Sequence, residues 1–228
     1  MPVSIEKNIT AVQQRLRAAE QQHGRNANSV ILMAVSKTRP ADAIRQAAAA
    51  GIVHVGENYL QEALTKIGQL KDQSLCWHFI GPIQSNKTAA IAEHFDWVHS
   101  VDRLKIAQRL SAQRPASLAP LNICLQVNIS HEASKSGATL AELTALAQQV
   151  NELAHIRLRG LMAIPRASDE VEQQRQGFAA LRRAFEQLRT DYPHMDTLSM
   201  GMSGDMEAAV AEGSTMVRIG SDIFGPRN

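Results

Sequence analysis

Ile31-Leu32-Met33-Ala34-Val35-Ser36-Lys37 is a short apolar run followed at once by Thr38-Arg39-Pro40, and it sets a rhythm that the rest of the chain repeats. Seven further runs follow: Val53–Val55, Cys76–Ile80, Trp97–Ser100, Leu121–Asn128, Ile156–Met162, Thr197–Met200 and Thr215–Ile219. Their starts lie 22, 23, 21, 24, 35, 41 and 18 residues apart, with helix-patterned sequence between them. That period indicates parallel βαβ units, because a parallel pair of strands needs a helix-length crossover. The connections carry helix punctuation. Thr139-Leu140-Ala141-Glu142 is a capping box ahead of Leu143, Leu146 and Val150. Gly51 and Gly213 stand where glycines close helices, and Tyr192-Pro193 ends the long helix of Val171, Phe178, Leu181, Phe185 and Leu188. Ahead of the first run, Ile5, Ile9, Val12, Leu16 and Ala19 recur at steps of four and three, which predicts an amphipathic helix over 4–22 closed by Gly24.

Eight βα units predict the α/β class and a single (β/α)8 TIM barrel with an extra N-terminal helix, one domain over residues 1–228. Such barrels typically run to about 250 residues. An open doubly wound sheet is the alternative if Val53–Val55 or Thr197–Met200 is not a strand. The GxGxxG dinucleotide fingerprint is absent after the first run, and there is no linker, low-complexity segment or internal repeat.

Composition narrows the function classes. Residues of the set AVILMFWYC make up 44% and charged residues 20%, which excludes a disordered or fibrous chain. Lys and Arg number 24 against 22 Asp and Glu, and they are scattered, so no basic stripe suits nucleic acid. Arg182-Arg183 reads as the solvated face of a helix. Cys76 and Cys124 lie in apolar runs and read as buried thiols, with no spacing for zinc or a disulfide framework. No histidine pair has metal-ligand spacing. The N-terminus lacks a signal-peptide core, and no apolar run approaches the roughly 20 residues of a membrane span, so a cytoplasmic protein without a membrane partner is expected.

In a barrel, functional groups sit at the carboxyl ends of the strands. Alternation puts Ile31, Met33, Val35 and Lys37 on one face. If that face lines the bore, Lys37 ends an apolar column at the mouth, where desolvation favours the neutral amine that attacks a carbonyl. Pattern alone also allows a surface lysine opening a loop. The last two strands are followed by Ser199-Met200-Gly201-Met202-Ser203-Gly204-Asp205-Met206 and by Arg218-Ile219-Gly220-Ser221-Asp222-Ile223-Phe224-Gly225. Barrels commonly hold phosphate in these two loops, and Ser203 and Ser221 add hydroxyl donors. A reactive lysine with a phosphate cradle implies a phosphorylated carbonyl compound, either pyridoxal 5′-phosphate (PLP) or a sugar phosphate. Arg218 at the mouth favours the former, since an arginine on a pyridine nitrogen keeps it unprotonated and the ring a poor electron sink. A phosphate or salt-bridge arginine is the other reading. His78 reads as a core histidine, Asn58 as a helix cap or a ligand contact, and Lys135 as a second mouth lysine or an exposed loop residue.

Several motifs together resemble one family. Trp77-His78-Phe79-Ile80-Gly81-Pro82-Ile83-Gln84-Ser85-Asn86-Lys87 looks like the signature of the pyridoxal-phosphate homeostasis protein family. Ala34-Val35-Ser36-Lys37-Thr38, Gly56-Glu57-Asn58-Tyr59, Ser134-Lys135-Ser136-Gly137, Arg159-Gly160-Leu161-Met162, Met200-Gly201-Met202-Ser203-Gly204-Asp205-Met206-Glu207 and Val217-Arg218-Ile219-Gly220 extend the match nearly end to end. The resemblance implies a barrel like the N-terminal domain of alanine racemase, with PLP held as an imine on Lys37. It implies further that Arg218 faces the pyridine nitrogen, that Ser203, Gly220 and Ser221 hold the phosphate, and that Asn58 and Met200 lie close to the ring. Family members are regarded as PLP carriers or regulators of vitamin B6 and amino-acid pools, without strong catalysis. Alanine racemase draws a catalytic tyrosine from a partner's second domain, and neither Tyr59 nor Tyr192 matches that role. The expectation is therefore a monomeric PLP holder with no catalytic residue and no metal, serving apo PLP-dependent enzymes. A PLP-dependent racemase or a Schiff-base aldolase is the alternative. Lys135 is a candidate for assisting PLP capture by transimination.

Overall fold

The computed structural model describes residues 4–130, 136–166, 168 and 170–226. Eight parallel strands close into a barrel in sequence order: β1 (Ile31–Val35), β2 (His54–Glu57), β3 (Cys76–Phe79), β4 (Trp97–Val101), β5 (Leu121–Gln126), β6 (Ile156–Met162), β7 (Thr197–Ser199) and β8 (Met216–Ile219). β8 pairs with β1 from Ile31↔Met216 to Ala34↔Ile219, which seals the ring and excludes the open sheet. Both short runs in doubt are strands, although β7 keeps only three residues. β1, β3, β5 and β7 end one or two residues before the apolar run does, so Lys37 lies just beyond β1 in the mouth loop.

Helices α2 (Ala41–Ala49), α3 (Leu60–Gln69), α4 (Thr88–His94), α5 (Leu104–Gln113), α6 (Leu140–Asn151), α7 (Val171–Asp191) and α8 (Met206–Ala211) fill the crossovers, and α9 (Ser221–Phe224) follows β8. Punctuation acts where the sequence places it. The capping box of Thr139 and Glu142 is formed in both directions at α6. Gly24, Gly51 and Gly213 take φ of +63°, +90° and +90° directly after helix C-caps, a conformation cheap only for glycine. α1 (Ile5–Gln22) starts at the Ser4 N-cap and buries Ile5, Ile9, Val12, Leu16 and Ala19. Each large aliphatic among them gains about 1.5–3 kcal/mol from leaving water. Buried Glu20 on the same helix accepts from the backbone N–H groups of Asn28 (3.1 Å) and Val30 (2.8 Å), which fixes the entry into β1.

The apolar core divides unequally. A large cluster fills the space between strands and helices, including Ala34, Val55, Phe79, Val98, Ile123, Leu161 and Val217. Among the described residues a second, small buried cluster of Trp97, Cys124 and Met162, with half-buried Cys76 against it, lies inside the bore. Cys76 thus departs from the expected fully buried thiol, because it sits at the first position of β3, near the open amino-terminal end of the barrel. At that end Arg159 lies 4.7 Å over the Trp97 ring and bonds Asp196 and the Asn122 side chain. His78, His99, Ser199 and Arg218 are also buried in the bore, beside Met33 and Met216. Arg182, expected on a solvated face, is half-buried and paired with Glu212 at 3.3 Å, while Arg183 is exposed. Among the described residues no helix is long and apolar enough to cross a membrane.

Candidate cofactor site at the barrel mouth

A pocket of about 270 Å³ opens at the carboxyl ends of the strands, where Lys37, Asn58, Ser203, Gly204, Arg218, Gly220 and Ser221 converge. The apolar wall comes from Val35, Ile80, Ile164 and Met202. Six of the seven candidate residues named from sequence therefore share one cavity. Met200 does not line it. Its side chain is wholly buried behind the strand ends, and Met202, two residues on, forms the wall instead. The mouth continues past Ile80 and Ile164 into a second hollow of about 250 Å³ bounded by Pro82, Gln126 and Ser136. Lys135, named as a possible second amine, lies outside the described residues.

Lys37 is held by its neighbours. The Ser36 N–H still bonds Gly56 O at 3.0 Å, so the ladder runs one residue past β1. The Ser36 hydroxyl donates to buried Glu57 at 2.5 Å. Lys66, reaching up from α3, donates to Ser36 O (2.8 Å), Glu57 (2.6 Å) and Glu62 (2.5 Å). Glu62 in turn accepts the Thr38 N–H at 2.6 Å, and Thr38 takes the left-handed φ of +64° that turns the chain away. Both residues flanking Lys37 are thus tied to one ion cluster. Arg39 then donates to the carbonyls of Gly225 and Pro226, both at 2.6 Å, and joins this loop to the chain after α9.

Asn58 follows β2 directly and does not cap α3, whose N-cap is Tyr59. Its Oδ1 is buried in the pocket wall without a protein partner, so its amide is free for a ligand. Gly81 makes this fit possible, since a Cβ there would stand 2.1 Å from Asn58 O.

The opposite wall is small and polar. The hydroxyls of Ser203 and Ser221 meet at 3.1 Å, bringing the loops after β7 and β8 together as the sequence implies. Gly201, at φ +97°, turns the first of these loops, and a Cβ there would collide with Ala209 at 2.6 Å. From α1, Arg15 braces both loops through Ser203 O, Glu207 and Asp222.

Arg218 closes the floor at 4% exposure, donating to Ser199 O (2.6 Å), Ser199 Oγ (2.9 Å) and Ala163 O (3.0 Å). No carboxylate pairs with it among the described residues, and burial pulls its guanidinium down to about 10. Asp205 stands near enough to oppose that shift. Beneath Arg218 lies a feature that sequence reading missed. Ser199 Oγ contacts His99 Nδ1, His99 Nε2 contacts His78 Nδ1, and His78 Nε2 contacts His54 Nδ1, each at 2.9 Å. His78 was legible as a core histidine but not as part of a chain. The available signal was the recurrence of histidine at 54, 78 and 99, close to the βα period.

What the pocket can hold follows from these groups. Lys37, Arg39 and Arg218 are basic residues, and no carboxylate lines the cavity among the described residues. The cradle of Ser203, Gly204, Gly220 and Ser221 suits a phosphate, and the partnerless Asn58 amide suits a polar ring substituent. An amine opposite a buried cationic donor suits an aldehyde carrying a basic ring nitrogen. This donor set fits PLP.

Known proteins agree. The family model described as "Alanine racemase, N-terminal domain" matches residues 7–228. The pyridoxal phosphate homeostasis protein of Pseudomonas aeruginosa is 60% identical over 225 residues, covering 99% of this chain and 96% of that one. Its counterpart in Escherichia coli is 54% identical over 227 residues, covering 98% and 97%. The structure of PipY from Synechococcus elongatus with PLP bound matches with a TM-score of 0.83 at 37% identity, covering 97% of this chain and 100% of that one. Alanine racemase from Corynebacterium glutamicum shares the fold, with a TM-score of 0.66 at 20% identity over 98% of this chain and 63% of its own. The chain therefore belongs to the alanine racemase N-terminal domain family, and within it to the pyridoxal phosphate homeostasis proteins.

Proposed function

We propose that this chain holds PLP reversibly, as an imine on the Lys37 amine, and delivers it to apo PLP-dependent enzymes. The observation that carries the reading is the convergence of Lys37 and Arg218 with the Ser203–Ser221 cradle in one pocket. Bound there, PLP supplies carbonyl chemistry toward amines. The protein's own residues bind and orient. Ser203, Gly204, Gly220 and Ser221 would take the phosphate, Arg218 would face the pyridine nitrogen and Asn58 would contact the ring.

Two features favour holding over catalysis. A guanidinium carries only donors, so Arg218 keeps the pyridine nitrogen unprotonated and weakens the ring as an electron sink. Among the described lining residues there is also no histidine, tyrosine or carboxylate to move a substrate proton. Nothing in the pocket favours the aldolase reading, and the racemase resemblance is one of fold.

Adding PLP to the purified apoprotein should produce a visible imine absorbance band that Lys37→Ala abolishes and borohydride traps. Mixing the loaded protein with an apo-enzyme should restore that enzyme's activity. Failure of wild type to gain the band would sink the binding reading. Sustained interconversion of amino-acid stereoisomers, lost in Lys37→Ala, would replace the holder with a racemase.

A further inference from the structure

We infer that His99, and His78 behind it, are positioning residues for Arg218. They act through a hydrogen-bond chain of fixed direction that runs from the PLP pocket through the bore to His54. The inference rests on the PLP reading for its purpose but not for its existence.

The direction follows from counting donors. Arg218 Nη1 can only donate, so Ser199 Oγ accepts from it at 2.9 Å. Ser199 has one hydroxyl proton, and the one other partner of its oxygen among the described residues is His99 Nδ1, also at 2.9 Å. If His99 donated from Nδ1, the hydroxyl proton would be buried with no acceptor, at the cost of an unmade hydrogen bond. Ser199 therefore donates and His99 Nδ1 accepts. The proton of neutral His99 must then sit on Nε2, which donates to His78 Nδ1. By the same logic His78 donates from Nε2 to His54 Nδ1, and half-buried His54 carries the chain to the amino-terminal opening. In this sense every lone pair faces toward the Arg218 cation and every proton away, the favourable charge–dipole order.

Electrostatics keeps the chain neutral. Burial holds His99 down to about 3 and His78 well below its ordinary value, and the Arg218 charge lowers His99 further. The Trp97 ring stacks on His78 with centroids 5.5 Å apart and planes at 19°, which fixes the imidazole orientation. The chain thus holds Ser199 Oγ as an acceptor, and Ser199 aims Arg218.

A competing assignment uses the same atoms. His54, Cys76 and His78 place ligand atoms within 4.8 Å of one another, as a cation site would. A cation there needs the Nε2 lone pair of His78, which the chain protonates. The two assignments are exclusive, and the His78 tautomer separates them.

The test has two readouts. Long-range 1H–15N correlation on metal-free, PLP-free protein between about pH 6 and 8 should show His78 and His99 as neutral Nε2–H tautomers. The second readout is PLP binding by two variants. Asparagine places its amide near the position of imidazole Nδ1, and glutamine near that of Nε2. His99→Asn keeps an acceptor for Ser199 but cuts the bond to His78, so it should shift the band and loosen PLP less than His99→Gln does. His99→Gln should shift the band and release PLP on the order of tenfold more readily, the effect of one buried bond in a charged network. A packing role predicts the reverse order, because glutamine fills the site better. An Nδ1–H tautomer or an imidazolium at either histidine, or equal effects of the two variants, would overturn the proposal. If wild type failed to bind PLP while the tautomers stood as stated, only the PLP reading would fall.

Discussion

Replacing Lys66 with methionine should cost this protein more than any single apolar truncation at the surface of its barrel. The ammonium makes three short bonds, to Ser36 O, Glu57 and Glu62, and Glu57 is fully buried. Methionine keeps the volume of the aliphatic stem and removes only the charge. Glu57 is then left as a buried carboxylate with the Ser36 hydroxyl as its one partner, a situation that costs about 3–5 kcal/mol. For a domain of this size that corresponds to a fall in Tm of about 6–20 °C. The pH dependence identifies the cause. Burial already pushes the Glu57 carboxyl above its ordinary value, and the bonds from Lys66 and Ser36 oppose the rise. Without Lys66 the rise grows, so the folded chain holds a proton that the unfolded chain has lost. Stability then falls as pH climbs from the ordinary carboxylate range through the folded value. The deficit of Lys66→Met should therefore be largest near pH 8 and shrink toward pH 5, and Glu57→Gln in the same chain should recover most of it. Urea unfolding of the apoprotein, followed by circular dichroism at both pH values, measures this directly. A loss under about 1 kcal/mol, or one equal at both pH values, would refute the account of a charge stranded in the wall beside Lys37.

The backbone offers a paired prediction. A Cβ at Gly160 would lie 1.7 Å from Thr197 O, so Gly160→Ala should prevent β6 and β7 from pairing and yield little folded protein. At Gly68, in the last turn of α3, nothing lies within 4 Å, and Gly68→Ala should raise stability by at most about 0.5–1 kcal/mol in the same unfolding assay. Thr139→Ala removes the side-chain half of the α6 capping box, leaving the backbone N–H of residue 139 on Glu142, and should cost about 1 kcal/mol by thermal unfolding. Burial pushes the Cys76 thiol up to about 12 and the Cys124 thiol higher still, so a disulfide reagent at pH 8 should label neither quickly in the folded state. Half-buried Cys76 should react before Cys124, and fast labelling of Cys124 would show that the bore opens.

The barrel was legible because its signal is periodic and long-range competition is weak. Parallel strands covered on the outside by helices must be apolar, and eight such runs at crossover spacing leave few topologies. Strand ends were less legible because the apolar pattern outlasts the ladder. Val35 is the last residue of β1, yet Ser36 is buried too, so composition extends the strand to Lys37. Small residues after β7 and β8 announced the two loops that meet at Ser203 and Ser221 in the pocket wall, since loop position and composition coincide there. Met200 came from the resemblance and not from any pattern; it is buried where the three-residue β7 gives way to a turn at Gly201, and Met202 lines the pocket. The bore was hidden for a different reason. A histidine alone among apolar residues is indistinguishable from a packed core histidine until the strands carrying the others are known to be neighbours.

The two walls of the pocket are held by unrelated devices, and that separation is itself informative. The Lys37 side depends on an ion cluster whose members, Glu57, Glu62 and Lys66, come from β2 and α3. The Arg218 side depends on a neutral chain that crosses the bore through His99 and His78. An ion cluster fixes position strongly but at a stability risk if one partner is lost. A neutral chain costs less when broken, yet it sets which atoms donate and which accept around the guanidinium. Changes in the first device should therefore be read mainly in unfolding curves, and changes in the second mainly in the colour and retention of bound PLP. A reversible holder gains from this division. Under the proposed reading, Lys37 sits on a rigid wall while the affinity is tuned from the other, without either adjustment disturbing the barrel that carries both.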